Sequence, residues 1–288
     1  MNLTTLEERI DKVVSEDMSG NTPGMSLLLT KGRDVLIRKA YGLANLETRE
    51  KITCENQFVI ASNTKQFTCA AIMILKEQGL LDYDEPIERF FPDFPDYRKY
   101  VTIRDMMTHV SGIQEYFEEN KWLNIPDSAT ADTKRMLEII KGFGDLTFKP
   151  RTQYSYCNSS YVMLGNIVEQ LSGMSFGEFL KKNIFQPLGM EHTIAPDYMD
   201  VKGENLTEGY VKDADGNFVK QDYNMALVGY ADGNIQSTVD DLFIWHQYLY
   251  MSDSELILKR ESLAEAFKNN YLPVSYTHLR AHETLANL

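Results

Sequence analysis

Cysteine is scarce in this 288-residue sequence: Cys54, Cys69 and Cys157 are an odd number without close spacing. Neither a disulfide framework nor a clustered zinc site can rest on them, and the three thiols are expected to be reduced packing residues. Positive charge is also short. Against 42 Asp and Glu stand 29 Lys and Arg, and the formal net charge of −13 is spread along the chain instead of forming a tail. That balance disfavours nucleic acid or an anionic membrane as the main partner. No apolar run approaches bilayer length, and residues 1–10 show no basic start followed by an apolar stretch, so the product is expected to have no membrane span and to stay in the cytoplasm. Internal repeats and low-complexity segments are absent too.

What is present has the balance of an ordinary globular protein, 43% hydrophobic and 25% charged, with room for one large domain or two packed subdomains. Leu3, Leu6, Ile10, Val13 and Val14 recur at helical spacing and predict a first helix that docks an apolar stripe. Met25 to Thr30 and Val35 to Tyr41, joined by Lys31-Gly32-Arg33-Asp34, predict an antiparallel hairpin. From Ser62 to Gly79 the pattern turns helical, with Gly79 as its C-terminal stop. Leu81 to Leu188 reads as short helical periods broken by Pro86, Pro92, Pro95, Pro126, Pro150 and Pro187. A second hairpin is expected around Asp215-Gly216. Ser237 and Asp240 form a plausible capping box for a helix carrying Leu242, Trp245 and Leu249.

Chemistry concentrates in two places. Ser62-Asn63-Thr64-Lys65 is the one S-x-x-K of the chain, where the strand-like Phe58 to Ala61 meets a buried helix. Residues three apart share a helix face, so the Lys65 amine can reach the Ser62 hydroxyl. The helix start and a partly dry site favour the neutral amine, which can take the serine proton. The plain alternative is an N-capping Ser62 beside a solvated Lys65. Tyr156-Cys157-Asn158, the one Y-x-N, lies just before a helix of Val162, Leu164, Ile167, Val168 and Leu171. A phenol near a lysine can relay a proton, and an amide can orient lysine and substrate. Tyr156 could equally be a loop anchor.

The stretches Phe58 to Leu81, Thr102 to Gly112, Phe148 to Gly173 and Phe185 to Thr193 resemble the serine β-lactamase-related family of class C β-lactamases, penicillin-binding proteins, D-peptidases and esterases. The resemblance implies an α+β, β-lactamase/transpeptidase-like fold, an antiparallel sheet flanked by helices plus a mainly helical subdomain. It places the acyl-enzyme serine on Ser62, its lysine on Lys65, and the Y-x-N roles on Tyr156 and Asn158. His109 falls in a structural segment and is expected to pack or hydrogen-bond, not to act as base. Pro150-Arg151-Thr152 stands where the family usually has Pro-Gly, so the turn there is expected to differ. The basic or His-x-Gly element that usually follows on an edge strand is not found. That strand supplies one oxyanion N–H, and losing one such donor costs about two to three orders of magnitude in rate. Class A features are also missing, since the one S-x-N, Ser19 to Asn21, precedes the nucleophile.

The expected domain is residues 1–272, incomplete at its end: 1–61 with the first helix and strands, 62–225 mainly helical, and 226–272 with returning helices. Residues 273–288 resemble a translated vector scar and are set aside, with His278 and His282. Gly173-Met174-Ser175-Phe176-Gly177 matches the nucleophile elbow of α/β-hydrolases, but the elbow needs a preceding strand where the pattern is helical; Ser175 with Glu178 makes a capping box instead. Asp213 to Asn217 lacks the glutamate of a calcium loop and reads as a turn. The sequence thus predicts a serine hydrolase acting on an amide, β-lactam or ester carbonyl, without metal or organic cofactor, on a small-molecule or peptide substrate. Oligomeric state leaves no sequence mark. The competing reading is an inactive binding or sensor module on the same scaffold.

Overall fold

A computed structural model describes residues 3–18, 20–116, 133–196, 203, 205–220 and 230–268; Ser19, Pro126 and 273–288, with His278 and His282, lie outside them. Helix α1 (Leu3–Asp17) lies against strand β2 (Asp34–Tyr41), which pairs antiparallel with β1 (Met25–Lys31) as the sequence predicts. The docking differs from the expected apolar stripe. Leu6, Ile10 and Val14 are half-buried and Val13 is 65% exposed. The helix is tied down by charge as well: Lys39 Nζ lies 2.8 Å from Asp11 and 2.7 Å from Glu7, and the Tyr41 hydroxyl donates to Asp11 at 2.8 Å.

The remaining strands are short. β3 (Leu43–Asn45) pairs with β4 (Glu50–Lys51), β5 (Phe58–Val59) pairs across the chain with β8 (Gln236–Ser237), and β6 (Tyr210–Lys212) with β7 (Phe218–Lys220) forms the second predicted hairpin. Among the described residues the strands thus form four separate antiparallel pairs instead of one sheet.

Helix α2 (Thr64–Glu77) ends as its glycine predicts: Gly79 takes φ +73°, its N–H reaches the Lys76 carbonyl and the Leu80 N–H reaches Leu75, satisfying carbonyls the helix itself cannot. After α3 (Ile103–Met107) and α4 (Thr133–Gly142), α5 (Asn158–Ser172) crosses α2 in the centre of the molecule. Ala71, Ile72 and Leu75 of α2 and Val162, Leu164, Ile167 and Val168 of α5 are fully buried. Each such aliphatic side chain larger than alanine contributes about 1.5–3 kcal/mol by leaving water.

The helical stretch that follows the Ser175 capping box is not regular. It is α6 (Phe176–Leu180), a π-helical turn over Lys181–Phe185, and α7 (Gln186–Leu188). Pro187 is the reason: it has no N–H for the carbonyl one turn back and its ring crowds that carbonyl, so the helix widens ahead of it. The predicted cap before α8 (Val239–Met251) is displaced by one residue. Thr238, not Ser237, accepts from the Asp241 N–H, while Ser237 belongs to β8 and its hydroxyl meets Thr193 at 2.7 Å. Asp240 instead binds Arg38. Helix α9 (Arg260–Ala266) follows. No helix among the described residues is long and apolar enough to cross a membrane.

Candidate active site

Strand β5 delivers the chain to the site, and the Ile60 N–H, bound to the Ile235 carbonyl, holds its end. Ala61 then takes φ +46°, and Ala61–Asn63 form a single 3-10 turn before α2. Residues three apart across this helix entrance share one face, which sets Ser62 beside Lys65. Ser62 is exposed; Lys65 is only 6% exposed. The cap of α2 is Asn63, without a side-chain bond, so Ser62 is not a capping serine and Lys65 is not solvated.

Lys65 Nζ lies 3.2 Å from Ser62 Oγ, 2.8 Å from Asn158 Oδ1 and 2.7 Å from the Asp232 carbonyl. The amide oxygen and the carbonyl have no proton to give, so both must take an N–H from Lys65 whatever its charge. A neutral amine is then left with its lone pair on the side of the Ser62 hydroxyl, and an ammonium points its third N–H there. One heavy-atom arrangement serves both states. The Tyr156 hydroxyl donates to Ser62 Oγ at 2.6 Å, and the rings of Tyr156 and Tyr161 face the amine at 4.8 and 5.3 Å.

Tyr156 is placed by His109, whose ring stacks on it at 4.6 Å and packs against Tyr161 at 5.0 Å. His109 Nδ1 accepts the Cys157 N–H at 3.1 Å, and Glu115 Oε2 accepts the Asn158 N–H at 2.5 Å, so two backbone donors at the start of α5 are satisfied by distant side chains. The histidine packs and accepts, as expected, and is no base: burial, reinforced by the Lys65 charge, pushes its imidazole down to about 3. An unfolded histidine binds its proton near pH 6.5. Between pH 6.5 and 3 the unfolded chain therefore takes up a proton that the native chain refuses. Stability contributed by neutral His109 is present above pH 6.5 and should fall by about 1.4 kcal/mol per pH unit below it. Urea unfolding at pH 7 and pH 4.5 checks this. His109→Asn, which tolerates the φ of +58° found here, should flatten the dependence; an unchanged slope would refute the assignment.

Several residues of this site carried no sequence signal. The turn from Tyr230 to Asn234 supplies Asp232, and α2 holds that turn through Thr68, whose hydroxyl donates to the Ala231 carbonyl at 2.5 Å, and Thr64, which accepts the Ile235 N–H at 3.1 Å. Gly165 lets α5 approach it. A Cβ there would lie 2.3 Å from that of Ala231 and 2.6 Å from the Tyr230 ring. Tyr116 and Glu115 come from the loop after α3. At Pro150-Arg151 the turn is built without glycine. Arg151 itself adopts the left-handed φ of +67°, held by its N–H to the Val110 carbonyl and by its guanidinium 3.2 Å from buried Asp105.

Ser175 caps α6 through a reciprocal box with Glu178 and follows helix α5, so it is no strand-to-helix elbow. Asp213 accepts the N–H groups of Asp215 and Asn217 and closes a turn. All three cysteines are free, and burial pushes the Cys69 thiol up to about 11 and Cys157 up to about 12. No group of three or more metal-ligating side chains occurs among the described residues, nor does any strand follow β8.

Solved structures share this fold. The octameric penicillin-binding protein homologue from Pyrococcus abyssi superposes with a TM-score of 0.78 at 30% identity, over 96% of this chain and 62% of its own. A penicillin-binding protein from Bacillus halodurans gives 0.76 at 27% identity, over 93% and 79%. The fold is β-lactamase/transpeptidase-like. Among curated proteins, penicillin-binding protein 4* of Bacillus subtilis (strain 168) is 32% identical over 79% of this chain and 52% of its own, and a D-aminopeptidase of Brucella anthropi is 28% identical over 86% and 46%. The chain thus spans about half the length of these curated relatives. The family model described as Beta-lactamase matches residues 10–281, which takes in both motifs and every element from β1 to α9: the chain belongs to the Beta-lactamase family.

Proposed function

We propose that the chain is a serine hydrolase that passes through an acyl-enzyme on Ser62. The observation that carries this reading is the exposed Ser62 hydroxyl set against a buried amine that also bonds to the Asn158 amide oxygen and the Asp232 carbonyl, both of which only accept. Ser62 Oγ bonds to the carbonyl carbon of an amide, β-lactam or ester while its proton passes to Lys65 Nζ. The tetrahedral oxyanion meets the Ser62 N–H as one donor. On collapse the bond from carbon to the leaving nitrogen or oxygen breaks, and Tyr156 gives the leaving group its proton. The Lys65 ammonium returns a proton to Tyr156. Water then attacks the acyl carbon while giving a proton to Lys65, and as the bond from carbon to Ser62 Oγ breaks that proton passes back to the Ser62 oxygen. Asn158 orients the lysine, and no step calls for a metal or organic cofactor.

The names of the relatives, penicillin-binding protein and D-aminopeptidase, favour a small molecule or peptide with an amide-like carbonyl as substrate. The cytoplasmic location expected from the sequence belongs to the same proposal. Incubation with a fluorescent penicillin and a fluorophosphonate, followed by mass spectrometry, tests it. Label should sit on Ser62, vanish in Ser62→Ala and persist in Ser175→Ala, which loses only a helix cap worth about 1 kcal/mol. Label on Ser175, or nowhere, sinks the reading; acylation without release favours the binding or sensor module.

A further inference from the structure

We infer that Asp232 is a positioning residue for Lys65, acting through its own main-chain carbonyl, and that Tyr116 locks it in place. The inference rests on the hydrolase reading for its meaning but not for its test. Asp232 is 4% exposed, and burying a carboxylate is costly unless its oxygens are bonded. They are: Oδ1 accepts the Tyr230 N–H at 2.9 Å and Oδ2 accepts the Tyr116 hydroxyl at 2.9 Å. The side chain thereby fixes the peptide whose carbonyl takes one N–H of Lys65 at 2.7 Å.

Tyr116 does more than hold Asp232. Its own N–H donates to Ser159 Oγ at 2.8 Å, and Ser159 follows Asn158 at the start of α5. The two acceptor-only partners of Lys65, the Asn158 amide and the Asp232 carbonyl, come from segments 74 positions apart in the sequence. Tyr116 bridges both. Because those two acceptors dictate which direction is left for the lone pair, the bridge aims the amine at Ser62.

Lys65 has other titratable neighbours. Tyr156 and Tyr161 present ring faces, Cys69 and His109 feel its charge, and Glu115 accepts the backbone N–H of Asn158. None of these groups is altered by the two variants that isolate the bridge. Tyr116→Phe keeps the ring and removes one hydroxyl. Asp232→Asn keeps an oxygen for the Tyr230 N–H and removes the charge.

The test follows the Lys65 ε-carbon by NMR titration in the full 13C-lysine-labelled chain, and in parallel the pH dependence of fluorophosphonate acylation at Ser62. Asp232→Asn should lower the Lys65 midpoint, since a neighbouring negative charge is gone. Tyr116→Phe should slow acylation about tenfold, the worth of one orienting hydrogen bond, with near-ultraviolet circular dichroism unchanged. Two folded variants with the midpoint and the acylation profile of the unaltered chain overturn the inference. An unaltered chain that labels nowhere, together with a displaced midpoint in Asp232→Asn, keeps the positioning role and sinks the hydrolase reading instead.

Discussion

Lys65→Ala should slow acylation of Ser62 by about 10²–10⁴-fold, the usual worth of a positioned general base. The variant removes the acceptor for the serine proton and leaves Ser62 Oγ with the Tyr156 hydroxyl, which donates to it at 2.6 Å and has its proton pointed the wrong way for the task. It also strips a donor from the Asn158 amide and the Asp232 carbonyl, so part of the loss could come from a loosened site. Exogenous small amines separate the two causes. Methylamine entering the vacated space should restore part of the rate if the chemistry is at fault, and nothing if the turn at Asp232 has moved. Time-resolved labelling with a fluorophosphonate, read by intact mass, gives the rates. A Lys65→Ala chain that acylates within about threefold of the unaltered one would remove Lys65 from the mechanism, since a general base contributes far more than that.

The largest stability effect is expected at Phe67. It is 1% exposed, stacks on Trp245 of α8 at 4.7 Å and meets Phe185 edge-on at 5.6 Å, so it joins α2, the π-helical turn and α8 in one contact. Phe67→Ala should cost about 3–5 kcal/mol, from lost burial plus the cavity left between three elements that cannot all close in. That is a large part of the total for an ordinary domain, about 5–15 kcal/mol. Urea unfolding followed by tryptophan fluorescence measures it, and Phe67→Leu, which refills much of the space, should recover more than half. A loss below about 1 kcal/mol would mean that the region is not packed as described, because cavities of this kind seldom cost so little.

Much of the architecture could be read from local pattern. The two hairpins, the Gly79 stop and the Ser175 box each depend on residues within a few positions of one another, and there spacing and geometry are nearly the same statement. The same holds for Ser62 with Lys65, and for Asn158 beside Tyr156. Where the reading went astray, a longer-range partner had decided the matter. Ser237 looks like a cap until pairing with Phe58 draws it into a strand, which leaves Thr238 to do the capping. Arg151 holds a left-handed φ that favours glycine, and Asp105, far back in the chain, grips its guanidinium. Asp232 and Tyr116 carry no motif at all: each acts across more than a hundred positions, Asp232 through its backbone carbonyl on the Lys65 amine and Tyr116 on the Asp232 carboxylate.

The backbone at Ala61 has a consequence for which residues that position can accept. A left-handed φ of +46° just ahead of the nucleophile suits glycine, asparagine and, at some strain, alanine, but drives a branched Cβ into the preceding peptide. Saturation mutagenesis at 61 would therefore return a narrow spectrum of small residues, although the residue itself is exposed. The restriction belongs to the main chain, which must double back there to present the hydroxyl.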